Sequence, residues 1–98
     1  MFLITGDFIN TEPGDRSKKG LIGPRGCKLE AKDFADHPQA QRFQMLDDDG
    51  NIYYTGLFID TEDNEEGELQ PLDCFGMPDA GCTSIEFWDK AKRKYIEV

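Results

Sequence analysis

Between Arg42 and Ile59 the chain spells out a β-hairpin. Arg42-Phe43-Gln44-Met45 alternates polar and apolar residues, Ile52 to Ile59 is rich in β-branched and aromatic residues, and Leu46-Asp47-Asp48-Asp49-Gly50-Asn51 lies between the two runs. Gly50 supplies the positive φ that a tight connection demands, and aspartates in such a turn accept hydrogen bonds from its amides. A strand's side chains alternate, so Phe43 and Met45 share one side while Tyr53 and Tyr54 are expected on opposite faces. Gly56, inside the second run, is read as a bulge.

The remaining segments arrange themselves around this hairpin. Phe2 to Ile9 reads as a first strand, closed by turn chemistry from Asn10 to Asp15. Arg16 to Lys28 is loop-like; its Gly20, Gly23 and Gly26 do not have the offsets of a phosphate-binding fingerprint, and a plain glycine-rich turn is the better reading. Leu29 to His37 predicts a short helix, which Pro38 ends. Asp60 to Glu68 is too charged to be buried and reads as a solvated loop, and Leu69 to Cys82, punctuated by Pro71, Gly76, Pro78 and Gly81, as an ordered connection without regular structure. Thr83 to Trp88 and Lys94 to Val98 predict a second hairpin across Asp89 to Arg93. The expectation is a single domain over residues 1–98, α+β but mainly β: a small antiparallel sheet or partly open barrel of about five strands with one short helix.

Charge is distributed unevenly. The chain carries a formal net charge of −9, yet residues 43–89 hold thirteen carboxylates and no Lys or Arg, while both flanks are mildly basic. No apolar run is long enough to span a bilayer, and the apolar start lacks a basic leader, so a cytoplasmic location is expected, in a bacterium or in the host of a phage. Three cysteines, Cys27, Cys74 and Cys82, are then expected as thiols, and the lone His37 beside Pro38 gives no zinc-ligand spacing.

Several phrases point further: Gly23-Pro24-Arg25-Gly26; Met45 to Gly50 followed by Tyr53-Tyr54 and Gly56; and Pro71-Leu72-Asp73 with Phe75-Gly76, Pro78 and Ala80-Gly81-Cys82-Thr83. Together they resemble a group of small bacterial proteins described only as hypothetical. The resemblance implies a bacterial or phage setting and a compact domain, and brings no activity, cofactor or catalytic residue.

The candidate chemistries are weighed against plainer readings. Placing Gly50 at the sixth position of an EF-hand loop puts Met45 and Gly56 at the first and twelfth, so the essential ligands are missing; a looser calcium site at Asp47 and Asp49 competes with an ordinary hairpin turn. Cys82 as a nucleophile lacks a neighbouring base or cation, and acidic surroundings raise a thiol pKa. No cofactor is implied.

The function expected is therefore a non-enzymatic acidic interaction protein that binds a basic protein surface. In its sharper form the carboxylates imitate a nucleic-acid backbone, as in anti-CRISPR and anti-restriction inhibitors. The alternatives are a ligand- or calcium-binding module and a small enzyme. The expected contacts are Asp47, Asp48, Asp49, Asp60, Glu62, Asp63, Glu65, Glu66 and Glu68, with Tyr53 and Trp88 as aromatic anchors. Direct nucleic-acid binding is disfavoured by the negative field, although Arg16, Lys18, Lys19, Lys90, Lys92, Arg93 and Lys94 could form a small basic patch. If Ile85 and Phe87 face the core, Trp88 lies on the other side of the sheet with Glu86. There it is either an interface anchor or cover for a second face.

Overall fold

Among the described residues the strands number six: β1 (Phe2–Asp7), β2 (Ile22–Gly23), β3 (Gln41–Leu46), β4 (Ile52–Phe58), β5 (Ser84–Asp89) and β6 (Lys94–Glu97). They form one open sheet in the order β2-β1-β4-β3-β5-β6, with every neighbouring pair antiparallel. The computed structural model describes residues 1–9, 17–23, 29–59 and 67–97, with all their side chains but those of Glu68 and Asp79. The Asp-Gly hairpin lies at the centre of the sheet, and the second hairpin forms one end of it. Sequence reading missed β2, because two residues carry no periodicity; they are held by pairing Phe2 with Gly23 and Leu3 with Ile22.

One face carries the main core. Phe2 and Ile4 of β1, Phe43 and Met45 of β3, Tyr54 and Phe58 of β4, and Ile85 and Phe87 of β5 converge there, at the alternate positions that a period of two predicts. A helical layer covers them. It comprises a 3-10 turn (Gly67–Leu69), a π turn (Leu72–Gly76) and the short helix α2 (Met77–Ala80), which supply Leu72 and Phe75, and Cys82 follows. The expectation of an irregular connection is thus corrected. Pro78 sits in the first turn of α2, where its missing N–H costs nothing, and Gly81 ends the helix at φ 72°. These residues start and stop a helix here.

Helix α1 (Ala31–Asp36) lies on the opposite face, where Phe34 packs with Leu3 and Ile59. Among the described elements that helix makes its main contacts with β1 and β4. Over β3, β5 and β6 the second face carries Arg42, Gln44, Glu86, Trp88, Tyr95 and Glu97. Trp88 is therefore on the side opposite Ile85 and Phe87, half-buried on an open sheet and not inside a barrel.

Gly56 does not itself supply a bulge. It pairs with both Ile4 and Phe43, and the extra residues are Thr5 on β1 and Tyr53 on β4. A Cβ at Gly56 would collide with the Leu3 carbonyl oxygen and the Phe43 ring, so close packing accounts for the glycine. The bulge also overturns the opposite-face expectation for the tyrosines: Tyr53 is half-buried against the same cluster that encloses Tyr54.

Candidate interaction surface

The Asp47–Gly50 turn is built by one carboxylate. Asp47 Oδ1 accepts the backbone N–H of Asp49 at 2.9 Å and of Asn51 at 2.8 Å, and Oδ2 accepts Asn51 Nδ2 at 3.0 Å. Asp47 and Asn51 also pair through the backbone at 3.1 Å, and Gly50 takes φ 83°. The Asn51 amides, followed by the Asp49 amide and the Tyr53 hydroxyl, hold the Asp47 carboxyl below its usual range. The nearby Asp47 charge pushes the Tyr53 phenol up. Asp47 is thus spent on the turn, and Asp48 and Asp49 are the carboxylates that it presents to solvent.

Apolar side chains surround this end of the sheet. The Phe8 N–H donates to the Tyr53 carbonyl at 2.9 Å, continuing β1 beyond its paired residues. Asp7 then fixes the chain, Oδ1 accepting from the Ile9 N–H at 3.0 Å and Oδ2 from the Lys18 N–H at 2.8 Å. As a result Phe8, 56% exposed, Ile9, 42%, and Ile52, 40%, stand at the same end of the sheet as Asp48 and Asp49. Sequence reasoning missed these three because it read Phe8, Ile9 and Ile52 only as members of strands and assigned them no face. The usable signal was position, since Phe8 and Ile9 overrun the last β1–β4 pair, Asp7 with Tyr54.

The expected contact residues do not form one face. Trp88 lies at the opposite end of the sheet: Arg42 stands over its ring at 4.8 Å and Tyr95 meets it edge-on at 5.3 Å. Five residues of extended chain separate Arg42 from Asp47, roughly 17 Å. The cause is strand direction, which takes the turn to one end of β3 and the β5–β6 connection to the other. Asp60, Glu62, Asp63, Glu65 and Glu66 lie outside the described residues, as does the Glu68 side chain. Ile59, which precedes them, follows Phe58, the last residue of β4, at the end away from the turn.

Cys82 is fully buried, and burial, with a contribution from the Asp47 charge, pushes its thiol up to about 11. A thiol in that state is a core residue and a poor nucleophile. Cys74 is exposed, and neither thiol is in a disulfide. Among the described residues no group of three His, Cys, Asp or Glu is placed to hold a metal, and no helix is long and apolar enough to cross a membrane.

Fold and site together define a small, mainly β protein of the α+β class with an acidic turn that carries exposed apolar neighbours. Comparison with protein-family models, curated proteins and solved structures gave no match.

Proposed function

We propose that this protein acts by binding, without catalysis, and that the turn end of the sheet contacts a basic protein surface. The supporting observation is the pairing of two solvent-facing carboxylates, Asp48 and Asp49, with exposed Ile52 on a turn clamped by Asp47. Apolar anchors rimmed by one sign of charge suit an interface: the anchors supply affinity, and the charge supplies steering and register. A clamped turn also presents its carboxylates without a large loss of freedom on binding. In the sharper form of this reading, the carboxylates occupy phosphate positions in the groove of a bacterial nucleic-acid-handling protein, as a phage inhibitor would.

Affinity capture from bacterial lysate at low and high salt tests the reading, with duplex DNA as competitor. A nucleic-acid-handling partner held at low salt, released at high salt, displaced by DNA and lost from Asp48→Asn/Asp49→Asn supports it. Identical capture by that double variant rules out the turn as the contact, and capture insensitive to DNA rules out mimicry.

A further inference from the structure

We propose that the hollow beside Trp88, on the second face of the sheet, is a binding site for a small ligand bearing an oxyanion, a carboxylate or a phosphate. The hollow measures about 450 Å³, within the range of small-ligand clefts, and Pro38, Ala40, Gln41, Arg42, Trp88 and Lys90 line it. Its walls come from the chain that enters β3 and from the hairpin that joins β5 to β6. Two cations therefore converge from elements that are distant in sequence.

Those cations are unneutralised. In a chain with 20 Asp and Glu residues, neither Arg42 nor Lys90 has a carboxylate within ion-pair range among the described residues, where the ion pair is Lys32 with Glu30 at 3.5 Å. Of the neighbouring acids, Asp89 and Glu86 make hydrogen bonds of their own, and Glu97 faces Glu86 across the β5–β6 ladder. Asp89 Oδ1 accepts the N–H groups of Ala91 at 2.9 Å and Lys92 at 3.1 Å, closing the hairpin turn. Glu86 accepts Gln44 Nε2 at 2.6 Å. Arg42 Cζ stands over the Trp88 ring at 4.8 Å, and a guanidinium carries a planar fork of N–H donors that suits the paired oxygens of a carboxylate or phosphate. Lys90 adds a mobile point charge at the rim.

The same contacts argue for a short anion over a nucleic-acid strand. Arg42 and Tyr95 already engage the Trp88 ring, so little of it is offered to a stacking base. A long polyanion would also meet the field of a chain at −9. A small anion held between Arg42 and Lys90 meets less of that field: Glu86, Asp89 and Glu97 stand nearby, but the acidic turn lies roughly 17 Å from Arg42 and the Debye length is about 8 Å at physiological ionic strength.

Trp88 is the chain's single tryptophan, so its fluorescence reports the hollow directly. The protein is titrated with inorganic phosphate and with glutarate, ionic strength being held constant with sodium chloride, and equilibrium dialysis of labelled phosphate and labelled glutarate provides a second readout. The expected result is saturable binding of at least one of these anions, weakened about tenfold or more by Lys90→Gln and by Arg42→Gln. Lys32→Gln, at an exposed ion pair elsewhere, leaves it unchanged. Which anion binds distinguishes a carboxylate from a phosphate source. Lys90 is exposed in a turn, so Lys90→Gln decides the matter if Arg42→Gln fails to fold. Failure of both anions to saturate, an equal response to chloride, or undiminished binding by Lys90→Gln overturns the proposal. So does saturation by a single-stranded oligonucleotide alone. The proposed role of the acidic turn, at the other pole, is untouched by any of these results.

Discussion

Asp47 shows how one side chain sets both a turn and its pH response. Its hydrogen bonds are made to the ionised form, so the folded-state pKa is depressed below the ordinary value of an aspartate. A depressed carboxyl contributes stability that is present above the unfolded pKa and is lost as pH falls through the folded one. The melting temperature is therefore expected to fall more steeply below about pH 4 in the wild type than in Asp47→Asn, as thermal melts over a pH series would show. Parallel curves would mean that the turn bonds contribute nothing to the pH dependence. Cys82 makes a second residue-scale test, because burial, supported by the Asp47 charge, holds its thiol at about 11. A thiol reagent at pH 8 is expected to leave Cys82 unmodified in the folded protein and to label it in denaturant, read by peptide mass spectrometry. Labelling of Cys82 in the native state would show that the helical layer above it opens readily.

Among the elements, legibility followed periodicity. Gln41–Leu46 and Ile52–Phe58 declare themselves by alternation around an Asp-Gly turn, and Ala31–Asp36 by its helix formers and Pro38. The layer over the core did not, because Pro71, Gly76, Pro78 and Gly81 read as breakers until their positions relative to helix ends are known. Gly76 has a further reason invisible in one dimension: a Cβ there would run into the Met45 sulfur, so the π turn sits close on the sheet only without a side chain. Phe75 fastens that layer, with its ring centroid 4.8 Å from Tyr54 and 6.3 Å from Phe2. Phe75→Ala is expected to cost about 3–5 kcal/mol in urea denaturation, a large share of a small domain's stability. Leu69→Ala, at a residue 39% exposed, is expected within about 0.5 kcal/mol of wild type. Similar losses at the two positions would mean that the layer does not depend on the Phe75 anchor.

At the scale of the whole molecule the sequence showed that charge was segregated, but not along which axis. Asp47 to Asp49 and Trp88 were grouped as one surface because composition carries no strand direction; the sheet places them at opposite ends, with Arg42 and Lys90 beside the tryptophan. Arg42 was missed at that pole because its partner over the ring comes from a strand more than forty residues later, a pairing that no local pattern announces. This separation leaves like charges near one another. Glu86 lies directly opposite Glu97 in the β5–β6 ladder, an unfavourable cross-strand pair, and Asp48 and Asp49 are adjacent on the turn. Among the described side chains the ion pair of Lys32 with Glu30 offsets little of this, since it is exposed on both sides and worth little. Screening should consequently remove more repulsion than attraction from a chain at −9. Sodium chloride is expected to raise the melting temperature at pH 7, with most of the rise complete by about 0.15 M, where the Debye length has shortened to about 8 Å. Glu97→Gln, which removes the cross-strand repulsion, should raise the low-salt melting temperature and flatten the salt dependence. Calorimetry of both proteins across a salt series makes the comparison, and a melting temperature that falls with salt would show that favourable pairs dominate the electrostatics of the fold.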